Sequence, residues 1–224
     1  MKLYSRPLSP YSARVRVALH AKGLAFQHEI VEMGWSKNPA FLEVNPLGRV
    51  PVLELDDGTR LIESSAIVEY LDDAHPEPPL RSPDPRARAR ERALALLAEH
   101  DVLKPMMDVF ILVDRKQDAS EAQQKLATGM KHVERCLDAD ASLVHAGARR
   151  VTLADAILLP VRHSLASLVS FGNLPELLAP YPRLDAYASS AKEVPALATV
   201  WSEMDEGLKV FMAWRAKQAA SQVP

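Results

Sequence analysis

Only one cysteine, Cys136, occurs in the 224 residues. A lone thiol closes no internal disulfide and runs no intramolecular dithiol exchange, which excludes a disulfide-stapled scaffold and a self-contained redox pair. Such thiol poverty fits a reducing compartment, so a cytoplasmic location is expected. Charge of one sign is missing as well: 27 Lys and Arg face 29 Asp and Glu, a formal net charge of −2 at pH 7. No global field then draws the chain to nucleic acid or to a membrane surface, and neither is expected as a partner. No uninterrupted apolar run approaches the roughly 20 residues needed to span a bilayer, and the start, MKLYSRP, lacks the apolar core of about 7–15 residues that marks a signal peptide. Metal-ligand spacing is absent too. His20, His28, His75, His100, His132, His145 and His163 form no ligand-like pairing with the cysteine or with one another, so no metal is expected.

What is present is ample core material, with 48% hydrophobic and 25% charged residues. The length allows one large domain or two small ones, and the chain changes character partway along. Up to about Ala74, short β-like runs alternate with helical ones: Lys2–Ser5, a helix over about Pro10–Lys22, Phe26–Glu32, Val50–Leu55, Arg60–Ile62, and a helix near Ser65–Asp73. Asp56-Asp57-Gly58 is a hairpin signal, so the runs on either side of it should pair antiparallel. The helix after the first strand makes the first pair parallel.

The stretch HPEPPLRSPDP, His75 to Pro85, holds five prolines in eleven residues and cannot continue a helix. The boundary is placed there: a first domain over 1–76, a proline-rich linker over 77–85 and a helical domain over 86–224. Asp84-Pro85 pairs an N-cap with proline at the first helical position. Leu94, Leu97, Ala98, Asp101 and Val102 begin an amphipathic stretch, and Leu126, Met130, Val133 and Leu137 follow helical spacing in another. Val151–Val169 is apolar on most sides and reads as a central helix, opened by Thr152 and Asp155 at capping-box spacing. Arg86, Arg88, Arg90 and Arg92 are spaced by two, which scatters their charges around a helix, so they read as a solvated first turn or two and not as an anion groove.

The residues that bear chemistry begin at SPYS, Ser9 to Ser12, which has the form of a dithiol loop with oxygen in place of both sulfurs. Ser9-Pro10 is an N-cap followed by the first helical residue, with Val15, Ala18 and Leu19 as the buried stripe. Ser9 can be only a cap. Yet a hydroxyl that caps a backbone N–H keeps a proton to donate, and no base stands by to make it a nucleophile. If a ligand brings its own thiol, the hydroxyl and the positive helix end both favour the thiolate.

MKLYSRPLSPYSARVRVALHAKGL, then NPLGRVPVLELDDGTRLIESSAIVEYLDDAHP, then an all-helical second half, together resemble the cytosolic glutathione transferase superfamily over essentially the whole chain, most of all its Ser/Cys-type omega, tau and zeta groups. The resemblance implies an α/β thioredoxin-like N-terminal domain plus an all-α C-terminal domain, glutathione as co-substrate, and a homodimer. Ser9 would hold the sulfur. Lys37 and Arg49 would take the glycine carboxylate. Val50 and a cis Pro51 would present backbone to the tripeptide, and Glu63 and Ser64 would hold the ammonium and carboxylate of the γ-glutamyl end. Ser12 stands where a dithiol protein has its second cysteine, so a protein mixed disulfide is unavailable at this loop.

The small hydrophobic electrophile would lie between the domains, near Tyr11, Met106, Met107, Phe110 and Trp214, though Met and aromatic residues at helical spacing also fit a core. Cys136, beside Val133 and Leu137, reads as a small buried residue. The expected reaction is conjugation of glutathione to that electrophile. Glutathione-dependent isomerisation or dehalogenation stays open, as does a non-catalytic carrier or partner-binding protein of the same fold.

Overall fold

The computed structural model describes residues 1–139, 144, 150–172, 174, 177 and 181–220, and the chain divides into two compact units. Met1–Glu77 and Thr199–Pro224 form the first, and Pro78–Ala198 the second. His145 lies outside the described residues.

The first unit opens with β1 (Lys2–Ser5), α1 (Pro10–Ala21) and β2 (Gln27–Ile30). A 3-10 turn, Trp35–Lys37, precedes α2 (Pro39–Val44), and β3 (Val52–Glu54), β4 (Arg60–Leu61) and α3 (Ser64–Ala74) follow. Strand order is β2-β1-β3-β4, with β1 parallel to β2 and both other pairs antiparallel. Leu53 faces Leu61 and Glu54 faces Arg60 across the expected hairpin. Helix α1 packs against α3. Its expected stripe, Val15, Ala18 and Leu19, is fully buried, but so are Ala13 and Val17 on other faces, and Arg14 and Arg16 are buried with them. A helix enclosed on all sides is central to its unit, whatever its charge pattern suggests.

The second unit contains α4 (Pro85–Leu97), a π-helical turn Ala98–Leu103, α5 (Lys104–Asp114), α6 (Ser120–Ala139), α7 (Leu153–Gly172) and α8 (Pro182–Ala191). Asp84 caps α4 by accepting from the N–H groups of Arg86 and Ala87. Leu126, Met130, Val133 and Leu137 are all buried, as their spacing predicts, whereas Cys136 is half-buried. The capping box at α7 is complete: Thr152 N–H donates to Asp155 Oδ2 at 2.8 Å, and Asp155 N–H donates to Thr152 Oγ1 at 3.2 Å.

Two expectations are corrected. The proline-rich stretch is no bare spacer, because Leu80 is buried and its carbonyl accepts from Leu153 N–H at 3.0 Å. The helical domain does not run on to the C-terminus: α9 (Pro195–Ala220) joins the first unit from Thr199 onward. Helix α7 passes for a membrane span by length and mean hydropathy, but Asp155 and Arg162 interrupt its apolar residues and 67% of that stretch is buried within the protein, as in a core helix.

Candidate functional site

Ser9 stands at the N-cap of α1 with extended backbone (φ −67°, ψ 122°), and its Oγ accepts from Ser12 N–H at 3.3 Å. The local sequence produces this directly, because Pro10 has no N–H to satisfy and its fixed φ starts the helix. The loop before it is held in turn. Ser9 N–H donates to Arg6 O at 3.0 Å, and Arg6 N–H donates to the buried Ser12 Oγ at 3.3 Å. Arg6 sends Nη1 to Val31 O at 2.7 Å and lies over the Trp35 ring, and partial burial lowers its pKa. The half-buried Ser9 hydroxyl therefore sits on a fixed loop at the positive end of a helix.

A second helix end lies beside α1. Glu63 occupies the N-cap position of α3 at φ 66°, ψ 108°, and its side chain makes no cap. Positive φ in a residue with a Cβ is strained, and such strain clusters where ligands are held. Ser64 is 5% exposed, and instead of capping the helix its Oγ accepts from Arg14 Nη1 at 3.1 Å. The same nitrogen donates to Ser65 Oγ. The first helical hydrogen bond runs from Ile67 N–H to Glu63 O, so the preceding N–H groups of α3 face outward from the helix end, the usual setting for a carboxylate.

Lys37 and Arg49 are exposed on neighbouring turns. Gly48 brings those turns together: its φ is +61°, and a Cβ there would stand 2.8 Å from Ser36 O. Arg49 Nη1 lies 3.8 Å from Glu63 Oε1, both ends largely exposed, a contact of little energy. The Val50-Pro51 peptide is cis, as the resemblance implies. Pro51 then leads into β3, with Val50 half-buried against the cluster of Val31, Phe41 and Val52.

A cavity of about 610 Å³ adjoins the loop before Ser9, lined by Pro7, Leu8, Ile30 and Val210 with Arg6, His28, Glu203 and Glu206 among the polar groups. Behind it lies a charge cluster that the sequence does not announce. Arg16 is fully buried, its Nε 3.0 Å from Glu203 Oε2 without hydrogen-bond alignment, and His20 Nε2 lies 3.0 Å from the other Glu203 oxygen. Burial lowers the Arg16 pKa to about 10 against the pull of Glu203. For Glu203, burial pushes upward, but the His20 hydrogen bond and the Arg16, His20 and His28 charges leave it below the ordinary value. His28, 2.6 Å from Ser5 Oγ, is lowered by burial first and then by Arg16.

Among the expected electrophile contacts, Tyr11 and Trp214 belong to the first unit, Trp214 being 38% exposed and stacked on Phe211. Met107 and Phe110 belong to the second. Met106 is corrected: at 2% exposure it packs in a core and offers no surface to a ligand. Arg14 and Arg16 are the residues that sequence reasoning missed. The available signal was two arginines inside the run Ala13–Leu19, whose other positions are all apolar. Among the described residues, no group of three or more His, Cys, Asp or Glu could hold a metal.

Residues 3–79 match the family described as Glutathione S-transferase, N-terminal domain. A maleylacetoacetate isomerase of Pseudomonas aeruginosa is 43% identical over 128 residues, a match that spans 55% of this chain and 60% of that protein. The omega-1 glutathione S-transferase of Mus musculus is 30% identical, with 89% of this chain and 79% of that protein covered. Among solved structures, a glutathione S-transferase of Methylobacterium radiotolerans in complex with glutathione sulfonate superposes with a TM-score of 0.73 at 29% identity, covering 89% of this chain and 93% of that one.

Proposed function

Since the chain belongs to the cytosolic glutathione S-transferase superfamily, a family of glutathione-using enzymes, we propose that it binds reduced glutathione with the thiol at Ser9 and conjugates it to a small hydrophobic electrophile. The observation that carries this is the Ser9 hydroxyl: it accepts one backbone N–H at the start of a buried helix and keeps its own proton to donate. A sulfur at that spot is more stable as thiolate, because the helix end and the O–H both stabilise the charged form. The thiol proton passes to solvent, the thiolate forms the new C–S bond, and the electrophile's leaving group departs with its electron pair. The protein supplies ionisation and position.

The remaining sites follow the chemistry of the tripeptide. The N-terminus of α3, with Ser64 backed by Arg14, takes the γ-glutamyl carboxylate and Glu63 its ammonium. Lys37 and Arg49 take the glycine carboxylate, and the backbone at Val50-Pro51 pairs with the extended ligand. The cavity beside Pro7 and Leu8, with Tyr11 and Trp214 on the same unit, suits an apolar co-substrate. A homodimer in the cytoplasm accompanies this reading.

Isomerisation is a second reading, favoured by the 43% local identity to a maleylacetoacetate isomerase. There the same thiolate adds to an activated double bond, the adduct rotates, and elimination regenerates glutathione. Calorimetry with glutathione, the thiol pKa in the bound complex and a panel of aryl halides and cis-enoic acids test both. Ser9→Ala should retain glutathione binding, raise the bound thiol pKa and lower kcat/KM about 10²-fold. A bound thiol with its solution pKa in the wild-type protein would refute the assignment of Ser9.

A further inference from the structure

We propose that Arg16, Glu203 and Gly207 are positioning residues for Ser9, clamping the Arg6–Leu8 loop from behind and so fixing where the Ser9 hydroxyl stands. This rests on the reading of Ser9 as the thiolate's donor and adds to it a part played by α9.

Arg16 lies seven residues after Ser9 on α1 and reaches back along the helix. Its Nη2 donates to Pro7 O at 2.6 Å, the carbonyl two residues before Ser9. The same guanidinium sets Nε 3.0 Å from Glu203, and Glu203 takes His20 with its second oxygen. One carboxylate of α9 thus spans two residues of α1. An apolar side chain would fill this space without desolvating a charge. A rigid fork is needed only if one group must serve a loop carbonyl and a distant carboxylate together.

Gly207 is four residues beyond Glu203, on the same face of α9. A Cβ there would stand 2.7 Å from Leu8 N, 2.8 Å from Pro7 Cβ and 3.0 Å from Pro7 C. Two of those atoms are backbone and cannot swing aside, so α9 meets the loop at a distance that only glycine permits. From the other side the loop is tied by Arg6 N–H to Ser12 Oγ and by Ser9 N–H to Arg6 O. A plain helix cap requires none of this. Placement of a reacting group does, because a displacement of about 1 Å can cost about 10²-fold in rate.

The test compares Arg16→Lys, Glu203→Gln and Gly207→Ala with wild type and with Ser9→Ala. It measures glutathione Kd by calorimetry, the bound thiol pKa by thiolate absorbance, and kcat and KM with chlorodinitrobenzene. Gly207→Ala and Arg16→Lys should raise the bound thiol pKa by about half to one unit and cut kcat about tenfold or more, with glutathione Kd within about threefold. Glu203→Gln should shift both in the same direction by less. A purely structural role would change stability and leave the bound thiol pKa in place. If Arg16→Lys fails to fold, the other two variants carry the same test. Should all foldable variants match wild type in thiol pKa and kcat while Ser9→Ala does not, the clamp is refuted and Ser9 stands. If Ser9→Ala also leaves the thiol pKa unmoved, both are refuted.

Discussion

Glu63 holds a backbone conformation, φ 66° and ψ 108°, that costs a residue with a Cβ on the order of 1–3 kcal/mol. Glycine would relieve that strain and return about 0.5–1 kcal/mol to the freedom of the unfolded chain. Glu63→Gly should therefore be more stable by about 1 kcal/mol, seen as a melting temperature higher by about 2–4 °C. It should also bind glutathione about tenfold more weakly, because the ligand's ammonium loses its carboxylate. Loss of stability on this substitution would mean that the exposed side chain contributes more to the fold than its contacts indicate. The Ser9 cap was legible in the sequence because caps are local and announce themselves within three residues, whereas Glu63 and Ser64, neither of whose side chains caps α3, came only from the resemblance. Arg14 and Arg16 were not legible. A charged residue in a helix is ordinarily solvent-facing, and only the enclosure of α1 on every side turns these two inward.

Elements with a cap and a long period were the easiest to read. An oxygen-bearing residue followed by proline opens α1 at Ser9-Pro10 and α4 at Asp84-Pro85, and the same signature opens α2 at Asn38-Pro39. Helix α2 has six residues, too few for periodicity to register, and the 3-10 turn at Trp35–Lys37 is shorter still. The π-helical turn at Ala98–Leu103 keeps an apolar spacing that reads as plain helix. At α7 the box of Thr152 and Asp155 is buried, which raises the cost of disturbing it. Asp155→Ala removes the acceptor of Thr152 N–H and leaves that donor buried without it. The expected loss is about 2–3 kcal/mol, read as a lower denaturant midpoint at unchanged slope. A loss below about 0.5 kcal/mol would show that the helix start is set by packing alone.

At the scale of the whole molecule, what the sequence hid is non-local. No pattern within Pro195–Ala220 tells that Thr199 onward belongs with residues 1–77, since the link is a carboxylate, Glu203, meeting side chains of α1. That link makes stability depend on pH in a direction that can be worked out. His28 faces Arg16, His20, Glu203 and Glu29, and burial with the two cations lowers its pKa from 6.5, so the folded protein disfavours the protonated ring. The unfolded chain then binds the extra proton first as pH falls, and stability is lost from about 6.5 downward toward the folded value. Glu203, also lowered, from 4.5, adds to the loss only below that pH, when its carboxylate must protonate and leave Arg16 and His20. Chemical denaturation of the wild-type protein at a series of pH values should show stability falling through the first window, and His28→Asn should flatten that fall while leaving the steeper loss at lower pH. An unchanged slope in the variant would assign the acid sensitivity to other groups and show that His28 is held neutral at no cost to the fold.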